Sequence, residues 1–238
     1  MLEKKIRIQS FDVFPNGTLK PSALMRHMQQ IAREDCDGMG ATYSFMRSLN
    51  TVFVLTRLAV EIYAPVRDGE ELLLKTYNNS IHGVIFDREY ELMSKGRIAA
   101  KATTLWTLVR YDTRSLVRPK DFPVRFEAVN LDITGIDIPR RFEETGLVPC
   151  GERIVRTSDL DENDHLNNCV YADIALDAID EFDGLNETVG GIKIIFRHEA
   201  RRGDKLLVSR REEDGRHIVF AHNETADMPC FETEITFR

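Results

Sequence analysis

The sequence predicts an α+β fold in which one unit, a helix packed on an antiparallel sheet, occurs twice in a single chain. Three observations predict it. Strand-like alternation dominates the apolar pattern, only two long stretches carry helical spacing, and the order strand, helix, four strands is read once in each half. The size fits: 238 residues, 42% hydrophobic and 30% charged, suffice for one large domain or two small ones with real cores. A net charge of −7 argues against a general role on nucleic acid or a membrane surface.

In the first half, residues 5–14 (KIRIQSFDVF) alternate like a half-buried strand, and Pro15-Asn16-Gly17 is a turn signal. Residues 21–38 read as a helix, with Pro21 suited to its first turn, Leu24, Met28 and Ile31 on one face, and Gly38 as a stop. Strand-like runs follow at 52–63, 70–78, 83–93 and 97–110, broken at Asp68-Gly69, His82-Gly83 and Lys95-Gly96. The second half repeats the order. A strand is expected at 150–159 and a helix over 167–182, where Val170, Ile174, Ala178 and Phe182 recur every fourth residue before Gly184. Four more strands are expected at 188–198, 204–211, 216–223 and 230–238.

Two ungapped shifts support duplication. A shift of 147 puts Ile8, Asp12, Asn16 and Leu19 on Val155, Asp159, Asn163 and Leu166. A shift of 134 puts Gly69 on Gly203, Leu72-Leu73 on Leu206-Leu207, and Leu58, Val60 and Ile62 on Ile192, Ile194 and Phe196. Residues 111–149 carry Pro119, Pro123, Pro139 and Pro149 and read as a linker. Leu116, Val117, Phe122, Phe126 and Ile136 within it predict that it lies on the surface of both halves. A helix wrapped by one antiparallel sheet, twice over, suggests a tandem double hot-dog. Its parts are an N-terminal unit at 1–110, the linker at 111–149 and a C-terminal unit at 150–238. Sheets joined edge to edge would make the chain a pseudo-dimer with fewer exposed edges. A homodimer of whole chains stays open.

The stretch DLDENDHLNN, residues 159–168, holds three Asp, one Glu, three Asn and one His between a strand and a helix. A polar strand-to-helix loop with Asx turns is the ordinary reading, with Asn167 or Asn168 as the helix cap. The matching bend of the first half, FPNGTL, has Phe14 for Asp161 and Thr18 for His165. That asymmetry is what a site confined to one half would produce. In an extended segment, Asp161, Asn163 and His165 would all point the same way. The helix start also offers unpaired N–H groups to a developing oxyanion. Glu199, where the first half has Pro65, supplies a second carboxylate; its ordinary reading is a strand-end acid paired with Arg197, Arg201 or Arg202. His198 lacks a second ligand at suitable spacing, so no metal is expected.

SDLDENDHLNNCVY resembles the catalytic segment of the acyl-acyl-carrier-protein (acyl-ACP) thioesterases of plants and bacteria. The pattern Asp-x-Asn-x-His, then Asn-Asn and an aromatic, is met by Asp161, Asn163, His165, Asn167, Asn168 and Tyr171. FDVFPNGTLKPSALMRHMQQIA, LTRLAVEIYAPVRDGEELLLKTY and ATTLWTLVRYDTR extend the resemblance over nearly the whole chain. It implies a further catalytic acid at Glu199. Plant members carry Cys directly after that Glu, whereas this chain has Ala200, so a nucleophilic cysteine there is not available.

The implied activity is hydrolysis of fatty acyl-ACP to free fatty acid without a cofactor. Glu199 is expected to act as general base on water, its pKa raised by burial between the units. Asn163 would orient the water or the carbonyl, His165 would assist proton transfer or polarise the carbonyl, Asp161 would hold both in place, and N–H groups near Asn167 and Asn168 would meet the oxyanion. The resemblance puts the acyl tunnel in the first unit, with Met25, Met28, Phe53, Leu55 and Trp106 as candidate walls; plain core packing is the alternative for each. An acidic carrier protein would dock on basic residues. Candidates are Arg110, Arg114, Arg118, Lys120 and Arg125 against Asp112 and Asp121, or the pairs Arg140-Arg141 and Arg201-Arg202. Rival readings are an acyl-CoA hydrolase, a dehydratase and an acyl-binding module without turnover. Neither a signal peptide nor a membrane span is read. Four cysteines (Cys36, Cys150, Cys169, Cys230) without ligand spacing suggest free thiols, and the cytoplasm is the expected compartment.

Overall fold

The computed structural model describes residues 1–130, 135–138, 140–180 and 182–238; Pro139 of the expected linker and Glu181 of the expected second helix lie outside them. Among the described residues a single antiparallel sheet carries the fold. Its strands are β1 (Leu2–Arg7), β2 (Thr51–Ile62), β3 (Glu71–His82), β4 (Ile85–Ser94), β5 (Arg97–Arg110), β6 (Val148–Ile154), β7 (Val189–Phe196), β8 (Lys205–Glu213), β9 (Arg216–Asn223) and β10 (Met228–Phe237). They lie in the order β1-β3-β4-β5-β2-β7-β10-β9-β8-β6, two halves that mirror each other. At the seam, Leu58 faces Ile194, Ala59 faces Lys193 and Val60 faces Ile192. The 134-residue shift makes Ile192 the counterpart of Leu58 and Ile194 that of Val60. Each residue therefore pairs with the other's counterpart, and a pseudo-twofold axis passes at Ala59–Lys193. This is the tandem double hot-dog, and joining at the seam leaves β1 and β6 as its edges.

Helix α1 (Pro21–Gly38) has its sequence-predicted bounds, and its Leu24, Met28 and Ile31 are fully buried. Helix α3 (Val170–Asp177) is shorter than the predicted 167–182. After it the chain continues in tight turns, Ile179 N–H donating to Leu176 and Phe182 N–H to Ile179. Ala178 and Phe182 keep the apolar spacing but serve packing beyond the helix: Phe182 stacks edge-on against Phe14 of the first half at 5.0 Å. Ile174 and Ala175 of α3 join Leu24 and Met28 of α1, and Leu58 and Ile194 of the seam, in one core. Between α1 and β2 lies a short helix the sequence did not signal, α2 (Tyr43–Ser48), opened by Thr42 Oγ1 accepting the Phe45 N–H.

Both units shorten their first strand in the same way. The runs predicted at 5–14 and 150–159 end at Arg7 and Ile154 and pass into 3₁₀ turns at Ser10–Asp12 and Thr157–Asp159. The Asp12 carboxylate takes the Gln9 N–H at 3.0 Å, and Asp159 takes the Arg156 N–H at 2.8 Å. These local bonds compete with the ladder and stop it. β6 begins at Val148, inside the predicted linker. The linker covers the first half: Val117 and Phe122 are buried in a second apolar cluster with Phe86, Phe126 and Trp106. Leu116 departs from that expectation and is 58% exposed.

Candidate active site

The bend at 160–168 has the same backbone as its counterpart in the first half. Asp161 N–H donates to His165 O as Phe14 N–H does to Thr18 O, and Asn167 N–H donates to Asp159 O as Lys20 N–H does to Asp12 O. Asp164 takes the left-handed position that Gly17 holds, with φ of 62° against 78°. What differs is the side chain that closes the turn. In the first half Asn16 Oδ1 accepts the Thr18 N–H. In the second half Asp161 Oδ1 accepts the N–H groups of Asn163 (2.8 Å) and His165 (3.3 Å). Asp161 thus takes over the Asx bond, and Asn163, the counterpart of Asn16, is released from it. Its Oδ1 accepts the Tyr43 hydroxyl at 3.0 Å instead. The segment is a turn, not an extended strand, so spacing of two does not align the three side chains: Asp161 holds backbone, Asn163 meets Tyr43, and His165 meets Glu199.

His165 Nε2 lies 3.1 Å from Glu199 Oε1, with the imidazole 14% exposed. Glu199 also accepts from Arg201 at 3.1 Å and, through Oε2, from Arg114 at 2.7 Å. Hydrogen bonding by His165, ahead of Arg201 and Arg114, holds the Glu199 carboxyl down at about 2 against the opposing effect of burial. This corrects the expectation of a raised pKa. Burial is incomplete, and three donors favour the charged form. Tyr171, the aromatic of the motif, is buried between Phe196 and Phe231.

At the helix start, Asn167 Oδ1 accepts the Cys169 N–H at 2.9 Å and its carbonyl accepts the Val170 N–H, so Asn167 opens the first turn. The Asn167 N–H is spent on Asp159, which removes it as an oxyanion donor. The Asn168 N–H has no acceptor among the described residues; its counterpart in the first half is Pro21, which has no N–H. Cys169 is fully buried, its thiol pushed up to about 12 by burial and set 3.4 Å from Gln29 Oε1. His198 Nδ1 is bonded to the Pro229 carbonyl, and no group of three metal-ligating side chains occurs among the described residues.

A cavity of about 200 Å³ lies between α1, α2 and strands β2 to β5, and Asn163 borders it from the second half. Phe53, Phe86, Trp106 and Phe126 form an aromatic wall, with Phe53 and Phe86 centroids 5.0 Å apart. Of the five tunnel candidates, Phe53 and Trp106 line it. Met25 and Met28 do not; both are fully buried in the main core. Leu55 is buried away from the cavity as well. Tyr43 lies outside any periodic run, so no sequence pattern singles it out. Arg114, a member of the basic run at 110–125, pairs with Glu199. In the same patch Arg118 pairs with Asp121 and Arg110 donates to the Leu49 carbonyl.

Comparison with known proteins matches residues 1–122 to the family model for the acyl-ACP thioesterase N-terminal domain and residues 151–237 to that for its C-terminal domain. Oleoyl-acyl carrier protein thioesterase 1 (chloroplastic) of Arabidopsis thaliana is 23% identical over 227 residues, covering 85% of this chain and 61% of the relative. A dodecanoyl-[acyl-carrier-protein] hydrolase of Cinnamomum camphora is 25% identical, covering 88% of this chain and 58% of the relative. The chain thus spans about three-fifths of the length of these curated relatives. Among solved structures, an acyl-ACP thioesterase from Bacteroides thetaiotaomicron superposes with a TM-score of 0.86 at 20% identity, covering 100% of this chain and 97% of the other. The 12:0-ACP thioesterase of Umbellularia californica gives 0.83 at 18%, covering 100% and 96%. These two structures share the fold.

Proposed function

This chain belongs to the acyl-ACP thioesterase family, and from that premise we propose that it hydrolyses fatty acyl-ACP to free fatty acid and the carrier-protein thiol. The observation that carries the reading is the His165–Glu199 contact at 3.1 Å, made from the bend whose Asn163 borders an aromatic cavity. With its pKa near 2, Glu199 is a poor acceptor for a water proton at neutral pH. We therefore assign proton transfer to His165, with the Glu199 carboxylate orienting the ring through Nε2 and leaving Nδ1 for water.

As the water oxygen bonds to the acyl carbon, its proton passes to His165. The carbonyl oxygen becomes an oxyanion facing the Asn168 N–H. The C–S bond then breaks, and the imidazolium returns the proton to the departing sulfur. Asn163, with Oδ1 fixed by Tyr43, keeps its Nδ2 donors for the thioester carbonyl. Asp161 serves by holding the turn. The acyl chain would occupy the cavity of the first unit, residues 1–110, closed by Phe126 of the linker, while residues 150–238 supply the chemistry. The carrier protein would dock on a basic surface, for which Lys120, Arg125, Arg140, Arg141 and Arg202 remain as candidates.

No helix among the described residues is long and apolar enough to cross a membrane. Four free cysteines support a reducing compartment, and the cytoplasm is the one we propose. The test is an acid-release assay over acyl-ACP and acyl-CoA thioesters, with Glu199→Ala beside wild type. Release from acyl-ACP with little from acyl-CoA is the expected result. Preference for acyl-CoA would make the chain a coenzyme A thioesterase, and tight acyl binding without release would make it a binding module.

A further inference from the structure

The cavity does not open into the main core, although both lie between α1 and the same sheet. A belt of buried polar groups stands between them. Arg88 of β4 is its centre: Nη1 donates to Asp35 Oδ2 (2.8 Å) and Thr76 Oγ1 (3.1 Å). Nη2 donates to Asn78 Oδ1 (2.8 Å) and reaches Cys36 Sγ (3.8 Å). Thr104 continues the belt, its hydroxyl donating to Arg88 O and accepting the Trp106 Nε1–H at 2.8 Å. The Arg88 and Asp35 side chains are only 5% and 9% exposed. On one side lie Phe53, Phe86, Trp106 and Phe126 of the cavity cluster. On the other lie Met28, Ile31, Leu74 and Tyr90 of the main core. Among the described residues Ala32 alone belongs to that core and also lines the cavity.

We propose that the Arg88–Asp35 belt is the floor of the acyl cavity and sets the longest chain that fits; the proposal rests on reading the cavity as the acyl site. The placement is consistent. Asn163 enters from the second half, whereas Arg88 and Asn78 border the cavity from β4 and β3, two and three strands beyond β2 at the seam. Those three strand spacings correspond to roughly 14 Å across the sheet. The belt acts as a stop and does not serve as a receptor for a polar tail. All four Nη hydrogens of Arg88 are engaged and Asp35 balances its charge, so the tip of the guanidinium has no free hydrogen for a hydroxyl or carboxylate. A methyl end driven further would have to part a buried ion pair, which is strongly unfavourable when one partner is lost. Replacing both partners by apolar residues of similar volume is tolerated far better, and that opens a route to a test.

The experiment measures kcat/KM for acyl-ACPs of six to eighteen carbons with the full chain and with the double variant Arg88→Met, Asp35→Leu. In wild type we expect a fall of at least about tenfold once the chain outgrows the cavity. In the double variant the fall comes at least two carbons later. A folded double variant with the wild-type length profile overturns the proposal, as does a wild type showing no fall through eighteen carbons. Should the double variant fail to fold, Asn78→Ala opens the β3 end alone and should move the fall in the same direction; no movement counts against the stop. If wild type hydrolyses no acyl-ACP, the proposed function fails by itself. The stop is then read from competition of the same series of free fatty acids against a fluorescent fatty acid, where the same shift in length is expected.

Discussion

Nε2 of His165 sits 3.1 Å from Oε1 of Glu199, joining the bend before α3 to the end of β7. The second carboxylate oxygen is held by Arg114, 85 residues earlier in the chain, just past β5 of the first half. Three separate parts of the fold therefore converge on one carboxylate. The duplicated bend provides the frame, and the second unit alone carries the Asp161, Asn163 and His165 set to which the proposed function assigns the chemistry.

Glu199→Gln keeps the side-chain shape and removes the charge that orients the imidazole. We expect kcat/KM to fall by about a hundredfold or more, with an unchanged circular dichroism spectrum. The pH behaviour has a definite sign. The Glu199 pKa is depressed from 4.5 to about 2, so its favourable contribution is complete above the ordinary carboxylate range and is lost as pH falls through about 2. Denaturation of wild type and variant from pH 7 down to 2 should show their stability difference closing at the acid end. The acid limb of the rate profile between pH 5 and 8 should not come from Glu199. An acid limb there that vanished in Glu199→Gln would contradict the assignment.

Tyr43→Phe removes the hydroxyl that fixes Asn163 Oδ1. The phenol is otherwise stacked beside Arg33 and Arg47, so the ring should stay in place. Loss of one orienting hydrogen bond predicts a drop in kcat of about tenfold with KM within about twofold. Steady-state kinetics on one acyl-ACP decides it; an effect confined to KM would make Tyr43 a substrate-binding residue instead.

Asp161 and Asn16 close equivalent turns, which gives a matched pair of variants. Asn16→Ala and Asp161→Ala should each cost about 1 kcal/mol in chemical denaturation, since each removes an acceptor from turn N–H groups. Only Asp161→Ala should reduce turnover, by about tenfold or more, because its turn carries Asn163 and His165. Asp161→Asn retains an acceptor oxygen and should recover most of both losses. Equal activity losses at the two positions would show that the bends are not functionally distinct.

Much of this was legible in the sequence because duplication leaves a double record. The 147-residue shift placed Asp12 on Asp159 and Leu19 on Leu166, and the bridges Val13–Leu19 and Leu160–Leu166 follow that shift. Helix α1 was read to the residue because Pro21 and Gly38 bracket a clean apolar face. Three things were not legible. The exchange of the Asx bond from Asn16 to Asp161 depends on side-chain competition that spacing does not encode. The buried Arg88–Asp35 pair joins a strand to a helix 53 residues away, and each residue alone reads as surface charge. The lowered Glu199 pKa arises first from His165, then from Arg201 and Arg114; of these only Arg201 is a neighbour in sequence, and no local pattern ties His165 or Arg114 to residue 199.

The cysteines supply the last prediction. The family resemblance implies a Cys directly after the motif Glu in plant members, so a thiol near the site invites a nucleophilic mechanism. Here that position is Ala200, fully buried, and the nearest motif cysteine, Cys169, is fully buried with its thiol at about 12. Burial keeps the Cys169 thiol protonated at neutral pH, and the thiol is a poor nucleophile in that form. Cys169 also contacts Gln29 and packs in the main core, so its role is structural. Cys169→Ala should therefore lower stability by about 1 kcal/mol through the small void it leaves, while kcat stays within about threefold of wild type. Ala200→Cys should not raise kcat, because a buried thiol there gains no base: Glu199 is already committed to His165, Arg114 and Arg201. Trapping with radiolabelled acyl-ACP and acid quench checks both. No acyl-thioester should accumulate on wild type, and a labelled protein lost in Cys169→Ala would return the mechanism to covalent catalysis.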